Sequence, residues 1–263
     1  MLAVSGFYSY AAAPLTQSIF TEIINDVKVV SATAQAGTPA MPNALFQSPD
    51  RVRTGPASRV ELTAADRTIT RIGANTVFMF EAEGRSIDLE KGSILFHTPP
   101  GQGGGSIKHG GASAAVLGTT IIGAILADGS FKIMVLEGQC LVTLRDGSNL
   151  TLNAGQMIVI PPDGNSFGKG TVNFNLQQLV AHLLLVQGFS HALPSSPLID
   201  SAIQQQITDI ANGTVGLFAP FNTVTDGLDL TGGTPLFPSP NPNVFINQVQ
   251  SPVSPTKGSA TPP

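Results

Sequence analysis

Short apolar runs rich in Val, Ile, Thr and Leu recur along the chain, and they are most regular between Ala112 and Gly155. Gly118, Gly138 and Gly155 stand where these runs start or stop. Aliphatic and β-branched residues in short runs are typical of strands with a half-buried face. Glycine accepts the positive φ or the close backbone approach that a sharp turn needs. The pattern therefore predicts consecutive β-strands separated by tight turns.

The same pattern extends upstream, where short strands are predicted one after another. Val60 and Leu62, and likewise Ile87 and Leu89, are alternating apolar positions, which predict strands with one buried face. The predicted strands are Arg51–Thr54, Arg59–Leu62, Thr68–Ile72, Thr76–Ala82, Ser86–Leu89 and Ser93–His97. Many short strands with turn signals and no intervening helix indicate an all-β domain, either solenoid-like or sandwich-like.

Turn residues and apolar positions give further expectations for this domain. Asp128-Gly129 predicts a turn into a strand over Phe131–Leu136, and Asp146-Gly147 predicts a second hairpin turn. The segment Pro99–Gly105 is expected to be a flexible loop. The residues expected to lie in the core are Val116, Ile121, Ile133, Val135, Leu141 and Leu152.

The N-terminal part of the domain is predicted to begin with a β-hairpin. Ser18–Ile23 and Val27–Ala32 flank Asn25-Asp26, two residues that tolerate turn dihedral angles. A helix over Thr16–Val30 is the alternative, because Ile19, Ile23 and Val27 are spaced by four residues. The β-branched run after Asp26 favours the hairpin. Ala34–Pro49, rich in Pro, Ala and Gly, is expected to be a loop.

After Pro161-Pro162 the apolar spacing becomes that of helices. A first stripe ends at Gly188, a candidate helix stop. Ser196-Pro197 predicts a second helix with serine as its N-cap and proline at its first position, and Asn212-Gly213 predicts its end. The two stripes comprise Leu176, Leu179, Val180, Leu183, Leu184 and Gln187, and then Ile199, Ala202, Ile203, Ile207 and Ile210. We expect a helical hairpin that packs on the β-domain, with docking on a partner as the alternative.

The chain is thus divided into four predicted segments. Residues 1–13 are apolar and rich in small residues, and we expect a signal peptide or its remnant there. Residues 14–165 form the β-domain and residues 166–213 the helical hairpin. Residues 214–263 form a proline-rich, low-complexity tail that lacks the charge of a typical disordered tail.

The ordered set of motifs in the β-domain resembles the FecR-type domain, a β-rich module of bacterial envelope and secreted proteins. The motifs are Ala114–Ile121, Val135–Val142, Leu152–Gln156, Arg53-Thr54-Gly55, Ser58–Leu62, Ile72–Thr76 and Leu89–Ser93. The resemblance covers Ser18 to Pro161. The chain departs from the family pattern at His109-Gly110, where the family often has Thr-Pro, and at Leu117, where it often has Arg. FecR-like signalling proteins also carry a cytoplasmic helical segment and a membrane helix, and neither is expected before the first strand here. The resemblance therefore implies the domain but not the signalling role.

Composition argues against several kinds of partner and site. Charged residues make up only 11% of the 263 residues and the net charge is −4, which does not favour a nucleic-acid or anionic-membrane partner. The single cysteine, Cys140, cannot form an intrachain disulfide, and its place in an apolar run predicts a buried, unreactive thiol. Ala112–Ala127 carries no charge, but it is shorter than the roughly 20 residues of a membrane span, and we expect strands there.

Histidines and a glycine-rich run are candidate site residues in this sequence. His97 and His109 flank a glycine-rich loop and could approach each other, but two histidines fall short of the three or four ligands of a zinc site. Gly101–Ser106 lacks the Gly-Lys-Ser/Thr ending of a phosphate loop. His182 and His191 are expected to be packing or solvent-facing residues. No metal, cofactor or catalytic site is predicted.

The charged residues are likewise expected to be surface residues rather than catalytic ones. Glu81 and Glu83 are spaced by two and share one strand face, which we expect to be solvated. A stretch of five arginines is interleaved with Glu61 and Asp66 and is interpreted as a mixed surface. These arginines are Arg51, Arg53, Arg59, Arg67 and Arg71.

The expected function is recognition. We expect a non-catalytic, exported module of the bacterial periplasm, outer surface or extracellular space that binds or senses a protein or a glycan-bearing partner. The alternative is a structural, self-associating component of an extracellular or cell-surface assembly. An enzyme with an unrecognised site is a third, weaker alternative.

Overall fold

The computed structural model describes residues 15, 17–33, 36–82 and 84–216, which form two nine-stranded sheets and three helices. Sheet 1 has the spatial order β18 (Val172–Asn173), β17 (Gln156–Ile160), β14 (Phe131–Glu137), β13 (Thr120–Ile125), β10 (Ser93–His97), β7 (Ile69–Ile72), β6 (Arg59–Ala64), β1 (Gln17–Ile24), β4 (Leu45–Gln47). Sheet 2 has the order β16 (Asn149–Asn153), β15 (Gln139–Thr143), β12 (Ala112–Val116), β11 (Gly105–His109), β9 (Ser86–Lys91), β8 (Val77–Phe80), β5 (Arg51–Thr54), β2 (Val27–Val30), β3 (Thr38–Pro39). The expected mainly-β fold is confirmed.

The strands β5 and β10 match their predicted bounds, while one segment predicted as a loop contains two strands and a further strand was not predicted. The short strands β3 and β4 lie within Ala34–Pro49. The strand β11 follows the glycine-rich loop and was not predicted, because Ile107 is its only apolar residue and gives no alternation. It nevertheless pairs with β9 in parallel and with β12 in antiparallel orientation.

The chain passes back and forth between the two sheets. From β6 onward it forms a hairpin in one sheet and then crosses to the other, except that β10 stands alone between two crossings. Residues with positive φ mark the crossings, because the chain must turn sharply where two facing layers meet. They are Asn25 (62°), Ala57 (50°), Asn75 (55°), Gly92 (86°), Gly118 (67°), Gly138 (75°) and Gly155 (77°).

The predicted N-terminal hairpin is wrong. The strands β1 and β2 have the expected positions, but β1 pairs with β6 and β4, whereas β2 pairs with β5 and β3. Asn25 therefore makes a crossing between sheets rather than a hairpin turn. Its side chain donates to the carbonyl of Ala57 at 2.7 Å and so ties this crossing to the one between β5 and β6. By contrast, the Asp128-Gly129 and Asp146-Gly147 turns do connect paired strands.

The main core lies between the facing sheets, and it includes five of the six predicted core residues. Val116, Ile121, Ile133, Val135 and Leu152 belong to this cluster. Leu141 does not, because its side chain is 44% exposed while its neighbours Cys140 and Val142 are buried. The alternation of β15 is thus offset by one residue from the prediction, since successive side chains on a strand point to opposite faces.

The helices follow the strands and pack on the outer face of sheet 1. The helix α1 spans Leu176–His182, α2 spans Leu184–Gln187 and α3 spans Ser196–Ala211. The first predicted helix is broken at Leu183, whose ψ of 118° is extended. Gly188 ends α2 and Asn212 ends α3, as predicted, but the N-cap of α3 is Ser195 rather than Ser196.

The apolar stripe of α3 is buried only in its first half. Ile199 and Ile203 contact the sheet, whereas Ile207 and Ile210 are 43% and 39% exposed. Of the remaining predicted segments, residues 1–13 and nearly all of 214–263 lie outside the described residues. Within the described residues, no helix is both long and apolar enough to span a membrane.

Candidate functional site

The helices cover the outer face of sheet 1 over β7, β10, β13, β14 and β17. At one edge of this sheet, Ile19 on β1 and Leu45 on β4 are 40% and 51% exposed. A second apolar cluster joins sheet residues such as Leu95, Ile122 and Met134 to helical residues such as Leu179 and Leu183. All five are less than 5% exposed. The helices therefore complete a third layer on this side of the molecule.

A buried ion pair fastens the helices to sheet 1. Glu61 and Arg71 face each other on β6 and β7, with Arg71 Nε 2.8 Å from Glu61 Oε2. The guanidinium of Arg71 also donates to the carbonyls of Val186, at 3.0 Å, and His191, at 2.6 Å. Arg71 was expected on a mixed surface, and that expectation is wrong, because its side chain is fully buried.

Next to this pair, the connection between α2 and α3 contains a serine and a histidine. His191 Nδ1 lies 2.8 Å from Ser190 Oγ, and His191 Nε2 lies 3.4 Å from Glu61. These are residue types of a hydrolytic triad, but Ser190 Oγ donates to Glu22 at 2.8 Å and Glu61 already pairs with Arg71. The serine hydroxyl is therefore not poised for deprotonation by the histidine, and the group holds the connection on the sheet.

A second buried polar group lies under the start of α3. His97, Thr120 and Glu137 are aligned on β10, β13 and β14. Thr120 Oγ1 lies 2.9 Å from His97 Nδ1, 2.8 Å from Ser195 Oγ and 2.7 Å from Glu137 Oε1. Burial lowers the pKa of His97 to about 4 and raises the pKa of Glu137. At neutral pH His97 is uncharged, so this group joins the helix to the sheet by hydrogen bonds.

Among the residues that the structure describes, the outer face of sheet 2, which we call the open face, has no such cover. None of the described helices contributes to a cluster on it. On β12, β15 and β16 every outward residue is uncharged and most are small and polar. These residues are Ser113, Ala115, Gln139, Leu141, Thr143, Asn149, Thr151 and Asn153. The open face thus offers hydroxyl and amide groups on a pleated surface.

Charged residues lie on the open face beside this uncharged strip. Residues that stand in register on neighbouring strands form one cross-strand row. Its first residues are uncharged, and charged residues follow them. The row runs Asn149, Thr143, Ser113, Lys108, Asp88, Met79 and Arg51. Lys108 Nζ donates to both carboxylate oxygens of Glu81, at 2.7 and 2.9 Å, and Arg51 pairs with Glu90.

A shallow groove of about 500 Å³ follows this row at the end of β11 and β12. It is lined by Glu81, Asp88, Lys108, His109, Gly110, Gly111, Ala112, Ser113, Thr143 and Leu144. Partial burial, and then the nearby Glu90 and Glu81, raise the pKa of Asp88. The groove combines one cation, two acids and several hydroxyl and backbone groups, a composition suited to hydrogen bonding with a polar partner.

The structure places the candidate histidines in different parts of the fold. His97 is under the helices in sheet 1, whereas His109 is in sheet 2 with Nδ1 2.8 Å from the Leu89 carbonyl. The two histidines, which a hairpin could have brought together, therefore lie in different sheets. His182 Nδ1 contacts the Gln178 carbonyl within α1, at 2.9 Å. Among the described residues, no group of three or more His, Cys, Asp or Glu could hold a metal ion.

Two further candidates are placed by the fold. Glu81 pairs with Lys108 on the open face, while Glu83 lies outside the described residues. Cys140 is fully buried between the sheets, as predicted, and burial raises the pKa of its thiol to about 12. A thiol that stays protonated at neutral pH is a poor nucleophile, so Cys140 is a packing residue.

The fold and the open face define a two-sheet β-domain in which helices cover part of one outer face. Residues 50–141 match the family described as FecR protein, which confirms the resemblance for the segment from the start of β5 into β15. No curated protein matches the chain.

Two crystal structures of a putative anti-sigma factor from Parabacteroides distasonis ATCC 8503, at 1.65 and 2.50 Å resolution, are similar to part of the chain. Their sequences are 19% and 18% identical to it, and the TM-score is 0.39 for both. The match covers 44% of this chain and 57% and 56% of those chains, so this chain spans just over half of their length.

Proposed function

We propose that the chain is a non-catalytic binding or sensing module of FecR type, exported to the bacterial envelope or secreted, and that the open face contacts its partner. The observation that carries the proposal is the contrast between the two outer faces. The helices cover the part of sheet 1 formed by β7, β10, β13, β14 and β17 with an apolar layer, whereas the outward residues of sheet 2 include polar groups and an exposed Leu141. A protein or a glycan-bearing partner suits this surface, because both offer neutral hydrogen-bonding groups.

Two features support a non-catalytic role. His97 is buried, and the Ser190–His191 group is engaged in fastening a loop. The groove at Lys108 has acids and a cation but no serine or cysteine paired with a base among its lining residues. Binding therefore accounts for the arrangement of side chains better than chemistry does.

A matched pair of leucine variants tests the proposal. Leu141→Arg places a long charged side chain in the uncharged strip, whereas Leu117→Arg changes a leucine that is 70% exposed at the turn between β12 and β13. Each variant is used to capture partners from bacterial envelope fractions. The amount of partner recovered should fall for Leu141→Arg and stay at the wild-type level for Leu117→Arg. Equal recovery with both variants, or loss only with Leu117→Arg, would remove the open face from the proposal.

Self-association of a structural component is a second candidate, supported by the exposed end of α3. Ile207 and Ile210 are one turn apart on the apolar stripe of α3, and both are exposed. A second copy of the chain could bury this apolar surface. Sedimentation velocity on the wild type and on Ile207→Asp is the test. A concentration-dependent dimer that Ile207→Asp abolishes would support this function, and a monomer at all concentrations would reject it.

A further inference from the structure

Three cations stand in one cross-strand row at the other end of the open face. Lys28 on β2 is directly opposite Arg53 on β5, Arg53 is opposite Val77 on β8, and Val77 is opposite Lys91 on β9. We call Lys28, Arg53 and Lys91 the basic row. Paired residues on neighbouring strands project to the same face, so their side chains rise from the same side of sheet 2.

A β-bulge brings Lys91 into this row. The register between β8 and β9 shifts between Val77 and Phe78, so that Phe78 faces Leu89 while Val77 faces Lys91. Without the shift, Lys91 would have the same parity as the buried Leu89 and would point into the core. The extra residue, Glu90, is exposed and pairs with Arg51. Bulges commonly re-aim a side chain next to a functional site.

Nearby acids neutralise only part of the positive charge of the basic row. Asp26 Oδ1 lies 3.6 Å from Lys28 Nζ and is the acid that lines the same space. Within the part of the chain that the structure describes, neither Arg53 nor Lys91 has an ion-pair partner. Like charges directly opposite on neighbouring strands destabilise a sheet. Three of only 13 basic residues are thus placed where they repel one another.

The basic row lines a cavity of about 220 Å³ at the crossing between the sheets. Its wall is the turn after β5, where Gly55 N donates to the Asp26 carbonyl at 2.9 Å and Asn75 N donates to the Gly55 carbonyl at 3.1 Å. Because Gly55 has no side chain, this turn can lie close to Asp26: a Cβ at Gly55 would be 3.1 Å from Asp26 Oδ2. Asn75 is also one of the residues that line the cavity. A hydrogen-bonded wall beside three cations is an arrangement suited to an anion.

We propose that this cavity binds a phosphate group through Lys28, Arg53 and Lys91. Three cations and one carboxylate leave two positive charges, which match the charge of about −1.5 to −2 that a phosphate monoester carries near pH 7. The planar guanidinium of Arg53 suits two oxygens of such a group, and the two lysines suit the others. A carboxylate ligand would neutralise only half of the excess charge. This site is independent of the uncharged strip and of the partner proposed for it.

Titration at constant ionic strength tests the site, because added salt alone also relieves repulsion between exposed charges. Inorganic phosphate, glucose 1-phosphate and acetate are each added in exchange for chloride, and the amide shifts of Gly55 and Asn75 are followed by NMR. Both phosphates should saturate and acetate should not. Tighter binding of glucose 1-phosphate would identify a sugar-borne phosphate as the source, and tighter binding of inorganic phosphate would identify the free ion.

Two charge-removing variants give the control. Arg53→Gln should weaken phosphate binding about tenfold or more, the effect of losing one charge-assisted contact. Lys169→Gln removes one positive charge from the loop between β17 and β18 of sheet 1 and should leave binding unchanged. An equal response to acetate, or full phosphate binding by Arg53→Gln, overturns the proposal.

Thermal unfolding gives a second readout. The melting temperature of the wild type should rise with phosphate, and that rise should be absent in Arg53→Gln. In chloride alone Arg53→Gln should melt at or above the wild-type temperature, because it removes repulsion. If Arg53→Gln melts at a clearly lower temperature than the wild type in chloride, Arg53 stabilises the fold without an anion. That result would contradict a site built for an anion.

Discussion

Glu61 and Arg71 stand directly opposite each other on neighbouring strands of sheet 1, and their 2.8 Å contact is buried beneath the connection between α2 and α3. The exposed fractions of the two side chains are 2% and 0%. The same guanidinium donates to the carbonyl of Val186 in α2 and to the carbonyl of His191 in that connection. One cross-strand pair therefore links the sheet to the helical layer.

Removing the carboxylate of this pair should be severe. We expect Glu61→Gln to lower the free energy of unfolding by about 3–5 kcal/mol, because Arg71 would remain buried without a counter-charge. The exposed pair Arg51–Glu90 is the control, and Glu90→Gln should cost less than about 1 kcal/mol. Urea unfolding measures both, and similar losses for the two variants would contradict the buried role of Glu61.

The faces of the central strands can be tested with two aspartate variants. Val135→Asp places a charge in the core between the sheets and should cost about 3 kcal/mol or more. Leu141→Asp changes a side chain on the open face and should cost less than about 1 kcal/mol. The melting midpoints of the two variants decide, and a larger loss for Leu141→Asp would mean that the side-chain alternation of β15 is reversed.

The helical layer should stabilise the β-domain itself. Leu183 is fully buried against sheet 1, so we expect Leu183→Ala to lower the free energy of unfolding by about 2–5 kcal/mol. Ile207→Ala, in the exposed half of α3, should cost well under about 1 kcal/mol. Chemical unfolding followed by near-UV and far-UV circular dichroism should give a single coincident transition. A separate early helical transition in the wild type would show that the layer contributes nothing to the sheets.

Stability should fall in acid because of His97. Its pKa is about 4 in the folded protein and 6.5 ordinarily, so between these values the unfolded chain binds the proton more readily. The stabilisation is complete above pH 6.5 and is lost as the pH falls through about 4, amounting to about 3 kcal/mol at most. Glu137 acts in the opposite direction: its raised pKa favours the folded state in acid, and that contribution is lost as the pH rises.

Variants of these two residues separate their contributions in unfolding curves measured between pH 4 and pH 7. His97→Gln should flatten the dependence of stability on pH, because it removes the proton-binding group. Glu137→Gln should make the dependence steeper, because it removes the opposing carboxyl group. A wild-type stability that increases from pH 7 to pH 4 would contradict the assignment.

Two glycines with nearly the same φ should respond differently to alanine. Gly92 and Gly147 have φ of 86° and 87°. A Cβ at Gly92 would lie 2.5 Å from the Cα of Thr76, whereas a Cβ at Gly147 meets nothing within 4 Å. Gly147→Ala should therefore cost only the conformational strain of about 1–2 kcal/mol, and Gly92→Ala distinctly more. Equal melting temperatures for the two variants would contradict the tight crossing at Gly92.

The sequence by itself determined the class of fold and most strand positions. Alternating apolar residues and the glycines at 118, 138 and 155 are local signals, because strand alternation and positive φ depend on neighbouring residues only. The FecR-type motifs were likewise contiguous, and the match over residues 50–141 agrees with them. The buried state of Cys140 followed from its apolar run.

Tertiary structure decided which strands pair and which side chains meet. A sharp turn at Asn25 fits both a hairpin and a crossing, and only the pairing of β1 with β6 and of β2 with β5 distinguishes them. Arg71 belongs to a charged stretch in sequence, yet the helical layer covers it. Lys91 joins Lys28 and Arg53 because one bulge shifts its register. Strand pairing, burial and register depend on residues far apart in the chain, and local propensity carries no information about them.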